Sequence, residues 1–167
     1  MNSISFSKSI QIKYNVDVCV VGAGPAGIAA AVTAARQGKT VYLADAHTCA
    51  GGMGTAGMLP VFMPFTDGEN FLAGGIGKEV HDRGSEYGAV GYHGGVSINV
   101  EPLKRFYEEM LLESGVIISY QTSLIDVSMS GENIAAAIFS AKSGIFAVKS
   151  GVFIDCSGDG GLAYMAG

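Results

Sequence analysis

From Val16 to Asp45 the chain reads V-D-V-C-V-V-G-A-G-P-A-G-I-A-A-A-V-T-A-A-R-Q-G-K-T-V-Y-L-A-D. Val16 to Val21 is a short β-branched run that stops at glycine, the pattern of a buried strand in a parallel sheet. Gly27 to Gln37 is rich in alanine and stops at Gly38, as a helix with a glycine C-cap does. Thr40 to Ala44 (T-V-Y-L-A) reads as a second strand. The three elements make a βαβ unit of about 30 residues.

The turn between the first strand and the helix, Gly22-Ala23-Gly24-Pro25-Ala26-Gly27, fits G-x-G-x-x-G. In a chain with 25 glycines that hexapeptide alone is a weak signal. Its context strengthens it. A strand precedes it, a helix follows, and Asp45 closes the second strand 45 − 22 = 23 residues after the first glycine. A dinucleotide-binding unit carries its ribose-binding acid about 20 residues after the fingerprint. Gly22 permits the tight turn, Gly24 lets the backbone approach a pyrophosphate, and Gly27 lets the helix pack closely on the sheet. The helix N-terminus offers free N–H groups and partial positive charge to the pyrophosphate. Asp45 can accept hydrogen bonds from a ribose diol and would repel a 2′-phosphate.

Outward from this unit the pattern changes. Ala50 to Gly95 mixes glycines, methionines and aromatics without a sustained period, apart from a helix predicted over Ile76 to Tyr87. So long an aperiodic stretch points to a working segment. Pro102 sits in the first turn of an amphipathic helix over Pro102 to Ser114, with Glu101 beside its positive end. Val116 to Tyr120 is a third parallel strand. Three further strands, Leu124 to Met129, Ile134 to Ala141 and Ile145 to Lys149, are joined by turns at Ser130-Gly131-Glu132-Asn133 and Lys142-Ser143-Gly144, which makes a small antiparallel meander. Val152 to Cys156 reads as a last buried strand. The predicted fold class is α/β: a Rossmann-like parallel sheet with flanking helices plus a small antiparallel β-meander. Residues 1–14 read as a tail and 15–167 as one dinucleotide-binding domain, with 61–99 as an insertion toward the substrate side and 124–150 as the meander.

Composition narrows the classes of function. The 167 residues are 49% hydrophobic and 15% charged, enough for a packed core. With 10 basic and 15 acidic residues the net charge is −5, which gives nucleic acid no electrostatic footprint. Cys19, Cys49 and Cys156 are too few and too scattered for a disulfide framework and suit a reducing compartment. Met1 to Tyr14 has no signal-peptide pattern, and no run approaches the length of a membrane span. The expectation is a soluble, cytoplasmic protein with a small-molecule substrate, no nucleic-acid partner and no membrane contact. Homo-oligomer formation is left open.

The fingerprint is shared by FAD and NAD sites and does not decide between them. Its place near the N-terminus and the downstream pattern favour FAD. The residues that carry this are D-V-C-V-V-G-A-G-P-A-G-I-A-A-A (Asp17 to Ala31), D-A-H-T-C-A-G-G-M-G-T-A-G (Asp45 to Gly57) and I-D-C-S-G-D-G (Ile154 to Gly160). Through them the chain resembles the FAD-dependent oxidoreductases of the glutathione-reductase-like two-dinucleotide fold. It is most similar to a group with Gly-Gly-Met after the second strand. The resemblance implies that Gly51-Gly52-Met53 lies along the FAD pyrophosphate and ribityl chain. It also implies that Cys156-Ser157-Gly158, with Asp159 after it, closes over the cofactor, and that the backbone at Ser123 and Leu124 lies near the adenine. The cofactor-binding candidates are Gly22, Ala23, Gly24, Pro25, Ala26, Gly27, Asp45, Ala46, Gly51, Gly52, Met53, Leu124, Gly158 and Asp159. Asp45 departs from the glutamate usual in that family by one methylene. Members of the family also run on past the equivalent of Gly167, into a substrate-capping domain and a returning helix. The chain therefore reads as an N-terminal portion, incomplete at its C-terminus.

Flavin chemistry resides in the cofactor, so the activity implied is transfer of a hydride or electrons between a small organic substrate and FAD. The alternatives are an NAD-binding dehydrogenase and a non-catalytic dinucleotide-binding module. The meander speaks against a simple NAD-type Rossmann domain, which would continue with βα units. An RNA-modifying flavoprotein is disfavoured by the acidic charge. No catalytic residue is assigned. His93 is the best candidate acid or base on the substrate side, although a surface loop histidine is its simpler reading. His47 follows the ribose position and reads as a cofactor or solvent contact. His47, His81 and His93 show no metal-ligand spacing, so no metal is expected. Cys49 precedes Gly51-Gly52 but has no second thiol for redox work. Cys19 and Cys156 read as packing. Met53, Met58 and Met63, with Phe62, Phe65 and Phe71, read either as the lining of an apolar pocket or as core filler. Arg83, Lys78 and Glu79 read as a solvated helix face.

Overall fold

The computed structural model describes residue 4 and residues 7–92 and 95–167. In chain order its first elements are strand β1 (Gln11–Val21), helix α1 (Pro25–Arg36) and strand β2 (Val41–Ala44). A loop region follows with β3 (Val61–Phe62), α2 (Gly75–Asp82), β4 (Val90–Tyr92) and β5 (Gly95–Ser97). Then come α3 (Val100–Glu113), β6 (Ile117–Ser119), β7 (Thr122–Ser130), β8 (Asn133–Ala141), β9 (Gly144–Asp155) and α4 (Gly161–Ala166).

The described residues form a 6-stranded sheet of order β6-β2-β1-β9-β8-β7. β1 lies parallel to β2, with Val18 opposite Val41 and Val21 opposite Ala44, and parallel to β9 on its other side. β2 and β6 are also parallel, whereas β7, β8 and β9 form the antiparallel meander. A small second sheet, β3-β5-β4, is antiparallel and belongs to the stretch that shows no period in sequence.

Val18–Val21 of β1 and Val41–Ala44 of β2 are continuous apolar runs because both faces of the sheet are covered there. Val18, Val20, Val41 and Leu43 face one core, shared with Ile28, Ala31 and Val32 of α1 and with Leu103, Phe106, Tyr107, Met110 and Leu111 of α3. The α3 spacing of i, i+3, i+4, i+7, i+8 is one helical stripe. Cys19, Val21, Tyr42 and Ala44 face the other core, closed by Phe139, Phe146, Val148 and Leu162. The fold class predicted from the sequence therefore holds.

Three boundaries differ from the sequence reading, each for a physical reason. β1 begins at Gln11, inside the expected tail, because Gln11 and Ile12 pair with Phe146 and Ala147 of β9. Tyr14 then stacks on Tyr42 at a centroid distance of 4.8 Å. The two expected strands at Ile145 to Lys149 and Val152 to Cys156 are one strand, β9, which serves the meander with its first half and the parallel sheet with its second. Gly151 does not break it: a Cβ there would stand 3.4 Å from the Asp17 carbonyl oxygen, so the glycine marks close backbone approach. The helix predicted over Ile76 to Tyr87 stops at Asp82 and gives way to a 3-10 turn at Gly84–Tyr87. There the Tyr87 hydroxyl donates to the Val80 carbonyl at 2.7 Å, folding the chain back.

Arg83 is more than a solvated face. Its guanidinium pairs with Glu86 at 2.7 Å and Glu79 at 3.3 Å, and lies 4.7 Å from the Phe106 ring centre. Glu79 in turn pairs with Arg36, so the network ties α2 to α1 and α3.

The Tyr42 hydroxyl is buried without a hydrogen bond of good geometry. Burial pushes its phenol up to about 12, an effect only partly opposed by the neighbouring Ser119 side chain. An unsatisfied buried hydroxyl costs about 1–3 kcal/mol relative to a satisfied one. Tyr42→Phe is therefore expected to leave thermal stability unchanged or raise it by a few degrees in a calorimetric melt. A fall equivalent to about 2 kcal/mol or more would mean that the hydroxyl is well bonded.

Candidate cofactor site

The site is built where β1, β9 and α1 converge. The Gly22 N–H donates to the Ala44 carbonyl at 2.8 Å, and the Cys156 N–H donates to the Val21 carbonyl at 2.8 Å. Gly22 has φ +96°, and a Cβ on it would lie 2.3 Å from the Cys156 carbonyl oxygen. A Cβ on Gly27 would lie 1.8 Å from the Gly22 carbonyl oxygen. Both glycines are needed for backbone to meet backbone. Gly24 is different: a Cβ there would meet nothing within 4 Å. Its lack of a side chain leaves space beside the first turn of α1. That turn holds no acidic side chain of its own, and Pro25 supplies its start.

Gly51 and Gly52 cover this loop. The Gly51 N–H donates to the Ala23 carbonyl at 2.8 Å, and a Cβ on Gly52 would come 3.1 Å from Gly24 Cα. Thr55, fully buried, fixes the turn by donating its hydroxyl to the Ala50 carbonyl at 2.6 Å. Met53, in the short 3-10 turn Gly52–Gly54, points to solvent, with 64% of its surface exposed.

Beside the glycine loop lies a cleft of about 300 Å³, lined by Gly22, Asp45, His47, Leu124, Ser157 and Asp159 among others. Ala46, Thr122 and Ser123 also face it. Asp45 is nearly buried. Its Oδ2 accepts the Ala23 N–H at 2.5 Å, and its Oδ1 accepts the His47 N–H at 2.7 Å and lies 2.9 Å from His47 Nδ1. The short acid thus ties the fingerprint loop to the end of β2.

The structure brings Gly22, Asp45, Ala46, Leu124 and Asp159 to one cleft. It packs Ala23, Gly24, Pro25, Ala26, Gly27, Gly51 and Gly52 around the adjoining loop and helix start. Gly158 (φ +91°) forms the exposed turn before Asp159 and does not itself line the cleft. Asp155, which is not among the candidates read from the sequence, has a structural role. Its Oδ1 accepts the Ser157 N–H at 3.0 Å and the Ser157 hydroxyl at 2.6 Å, and its Oδ2 accepts the Ala163 N–H at 2.9 Å. An Asp two residues before Ser at a strand end is a local turn signal, but the bond to Ala163 is not readable locally. Met165, on α4, also lines the cleft and carries no sequence signal.

Burial alone would raise the Asp155 carboxyl, but the Ser157 hydroxyl and the backbone N–H groups of Ala163, Ser157 and Leu162 hold it below its ordinary value of 3.8. Because the folded value is depressed, the carboxylate's contribution to the loop is full above that ordinary value and is lost as pH falls through the folded one. Protection of the Ser157 and Ala163 amides against exchange should therefore fall selectively below about pH 3.8. Unchanged protection through that range would show that the carboxylate does not hold the loop.

The methionines Met53, Met58 and Met63 are all largely exposed, so they are not core filler. The apolar pocket of this region, about 180 Å³, is lined by Phe62, Phe65, Pro25, Ile76 and Tyr107 and by none of the three methionines. Phe71, outside it, stacks on Phe65 and meets the His81 ring edge-on. His93 lies outside the described residues. Cys19 is buried, its thiol pushed up to about 12 by burial. Cys49 lies 3.9 Å from the Thr55 hydroxyl. The Cys156 thiol is raised first by burial and then by the Asp155 charge, so it is a poor nucleophile. Among the described residues no three His, Cys, Asp or Glu side chains gather as a metal site. No helix among them is long and apolar enough to cross a membrane.

Residues 17–167 match the model of the FAD dependent oxidoreductase family, and the chain belongs to that family. Its cofactor is FAD. No match is found among curated proteins. Among solved structures, a geranylgeranyl bacteriochlorophyll reductase-like protein from Thermoplasma acidophilum superposes with a TM-score of 0.66 at 18% identity, over 92% of this chain and 42% of that one. THI4 from Thermovibrio ammonificans gives 0.62 at 15% identity, over 84% of this chain and 57% of that one. L-proline dehydrogenase from P. horikoshii gives 0.53 at 18% identity, over 90% and 24%. At these identities the likeness is one of fold. The chain spans 42% and 57% of the first two proteins.

Proposed function

We propose that this chain holds the ADP half of FAD for an oxidoreductase that moves a hydride or electrons between the flavin and a small organic substrate. The observation that carries the reading is the open space at Gly24. It lies between the first turn of α1, which holds no acidic side chain of its own, and the Gly51-Gly52 cover, next to a cleft lined by Asp45. The Ala26 and Gly27 N–H groups and the helix end would hold the pyrophosphate. Asp45, Ala46 and His47 would border the ribose, with the backbone of Ser123 and Leu124 against the adenine. Gly52, Met53 and the turn at Gly158-Asp159 would flank the continuation toward the flavin.

When bound, FAD supplies the redox chemistry, and the chain's own part is to bind and orient it. The exposed Met53, Met58 and Met63 would face the flavin or substrate side. A reducing, cytoplasmic location is supported by three free thiols, and a net charge of −5 argues against a nucleic-acid partner. Titration of the purified chain with FAD and with NADH tests the reading. One FAD should bind per chain with the yellow absorbance of a held flavin. Tighter binding of NADH would favour the alternative, an NAD-dependent dehydrogenase or nucleotide-binding module.

A further inference from the structure

We propose that the ribose diol of the ADP half is hydrogen-bonded by the His47 imidazole, and that Asp45 acts as the positioning residue behind it. The proposal rests on the cofactor site described above and reassigns one contact within it.

The geometry separates the two side chains. Asp45 exposes 9% of its side chain and His47 exposes 63%, yet both line the same cleft. Asp45 spends each carboxylate oxygen on the chain's own backbone: Oδ2 on the Ala23 N–H, Oδ1 on the His47 N–H. Its side chain, one methylene shorter than glutamate, stays drawn back against the fingerprint loop. The same Oδ1 lies 2.9 Å from His47 Nδ1. A carboxylate only accepts, so the proton of that contact belongs to Nδ1, and in the neutral ring Nε2 is then the acceptor for a hydroxyl. The backbone and side-chain bonds to one oxygen fix the ring at two points. The Gln121 N–H further holds the segment by donating to the His47 carbonyl at 2.9 Å. Of the two side chains, the imidazole is therefore the one that this arrangement leaves to face a ligand in the cleft, and a vicinal diol presents the O–H donor it can accept.

The test compares ADP with 2′,3′-dideoxy-ADP as competitors for bound FAD, read by flavin fluorescence, in the wild type, His47→Ala and His47→Gln. One hydrogen bond corresponds to about a tenfold preference for ADP. The wild type should show that preference, His47→Ala should lose it, and His47→Gln, which keeps an acceptor, should retain part of it. Melting temperatures should be unchanged, because His47 is exposed. A preference undiminished in His47→Ala would overturn the assignment to His47 while leaving the cofactor site intact. Failure of the wild type to bind either FAD or ADP would overturn the site and the assignment together.

Discussion

Replacing Gly27 with alanine is expected to cost about 4 kcal/mol or more, a large part of the roughly 5–15 kcal/mol that holds a domain together. The added Cβ would lie 1.8 Å from the Gly22 carbonyl oxygen, a backbone atom at the end of the central strand. On the far side it would come 3.3 Å from Cys156 Cβ, so β9 blocks the obvious escape. Relief would require α1 to lift from the sheet, exposing Ile28, Ala31 and Val32, which are now fully buried against β1, β2 and α3. In a thermal melt the midpoint should fall by roughly 10 °C or more, or soluble protein should not be recovered. A variant melting within a few degrees of the wild type would mean that helix and strand are not in this contact.

Gly24→Val should do the opposite, removing cofactor affinity and leaving the fold. Its φ of −69° and ψ of −179° suit any residue, and a Cβ meets nothing within 4 Å. The folding cost is confined to a poorer N-cap, about 1 kcal/mol or less. The isopropyl group would occupy the space through which the pyrophosphate reaches the α1 backbone. Hydrogen bonds to a charged group are worth about 1.5–3 kcal/mol each, so losing one or two weakens FAD binding by about tenfold to a thousandfold or more. Titration and a melt on the same sample decide it. An FAD affinity within a few-fold of the wild type would show that the pyrophosphate lies elsewhere. Together the two glycines separate what the fingerprint does for folding from what it does for binding.

The parts legible in the sequence were those set by local pattern. β1, α1, β2 and α3 followed from period, glycine stops and a proline in a first turn, and the structure moves their ends by a few residues, except the start of β1. The elements that were missed depend on partners far along the chain. Gln11 to Tyr14 looks like a polar tail until β9 stands beside it, and Ser150-Gly151 looks like a break until Asp17 is seen against it. The exposure of Met53, Met58 and Met63 was equally hidden, because an apolar residue in an aperiodic loop carries no sign of which way it points. Within the site, the glycines and Asp45 were readable because their spacing is fixed by the backbone they serve. The pairing of Asp45 with His47, and of Asp155 with Ala163, was not, since side-chain direction and contacts across a turn leave no period in the sequence.

FAD bound with its ADP half across the Gly22–Gly27 loop and the Asp45 cleft should be visible in amide hydrogen exchange compared with and without the cofactor. Exchange should slow at Ala26, Gly27 and Ile28, around Ala46 and His47, and at Ser123 and Leu124, with the far ends of β7 and β8 unchanged. Binding of FAD without protection in those segments, or with protection confined to the exposed methionine loop, would put the cofactor elsewhere on the chain.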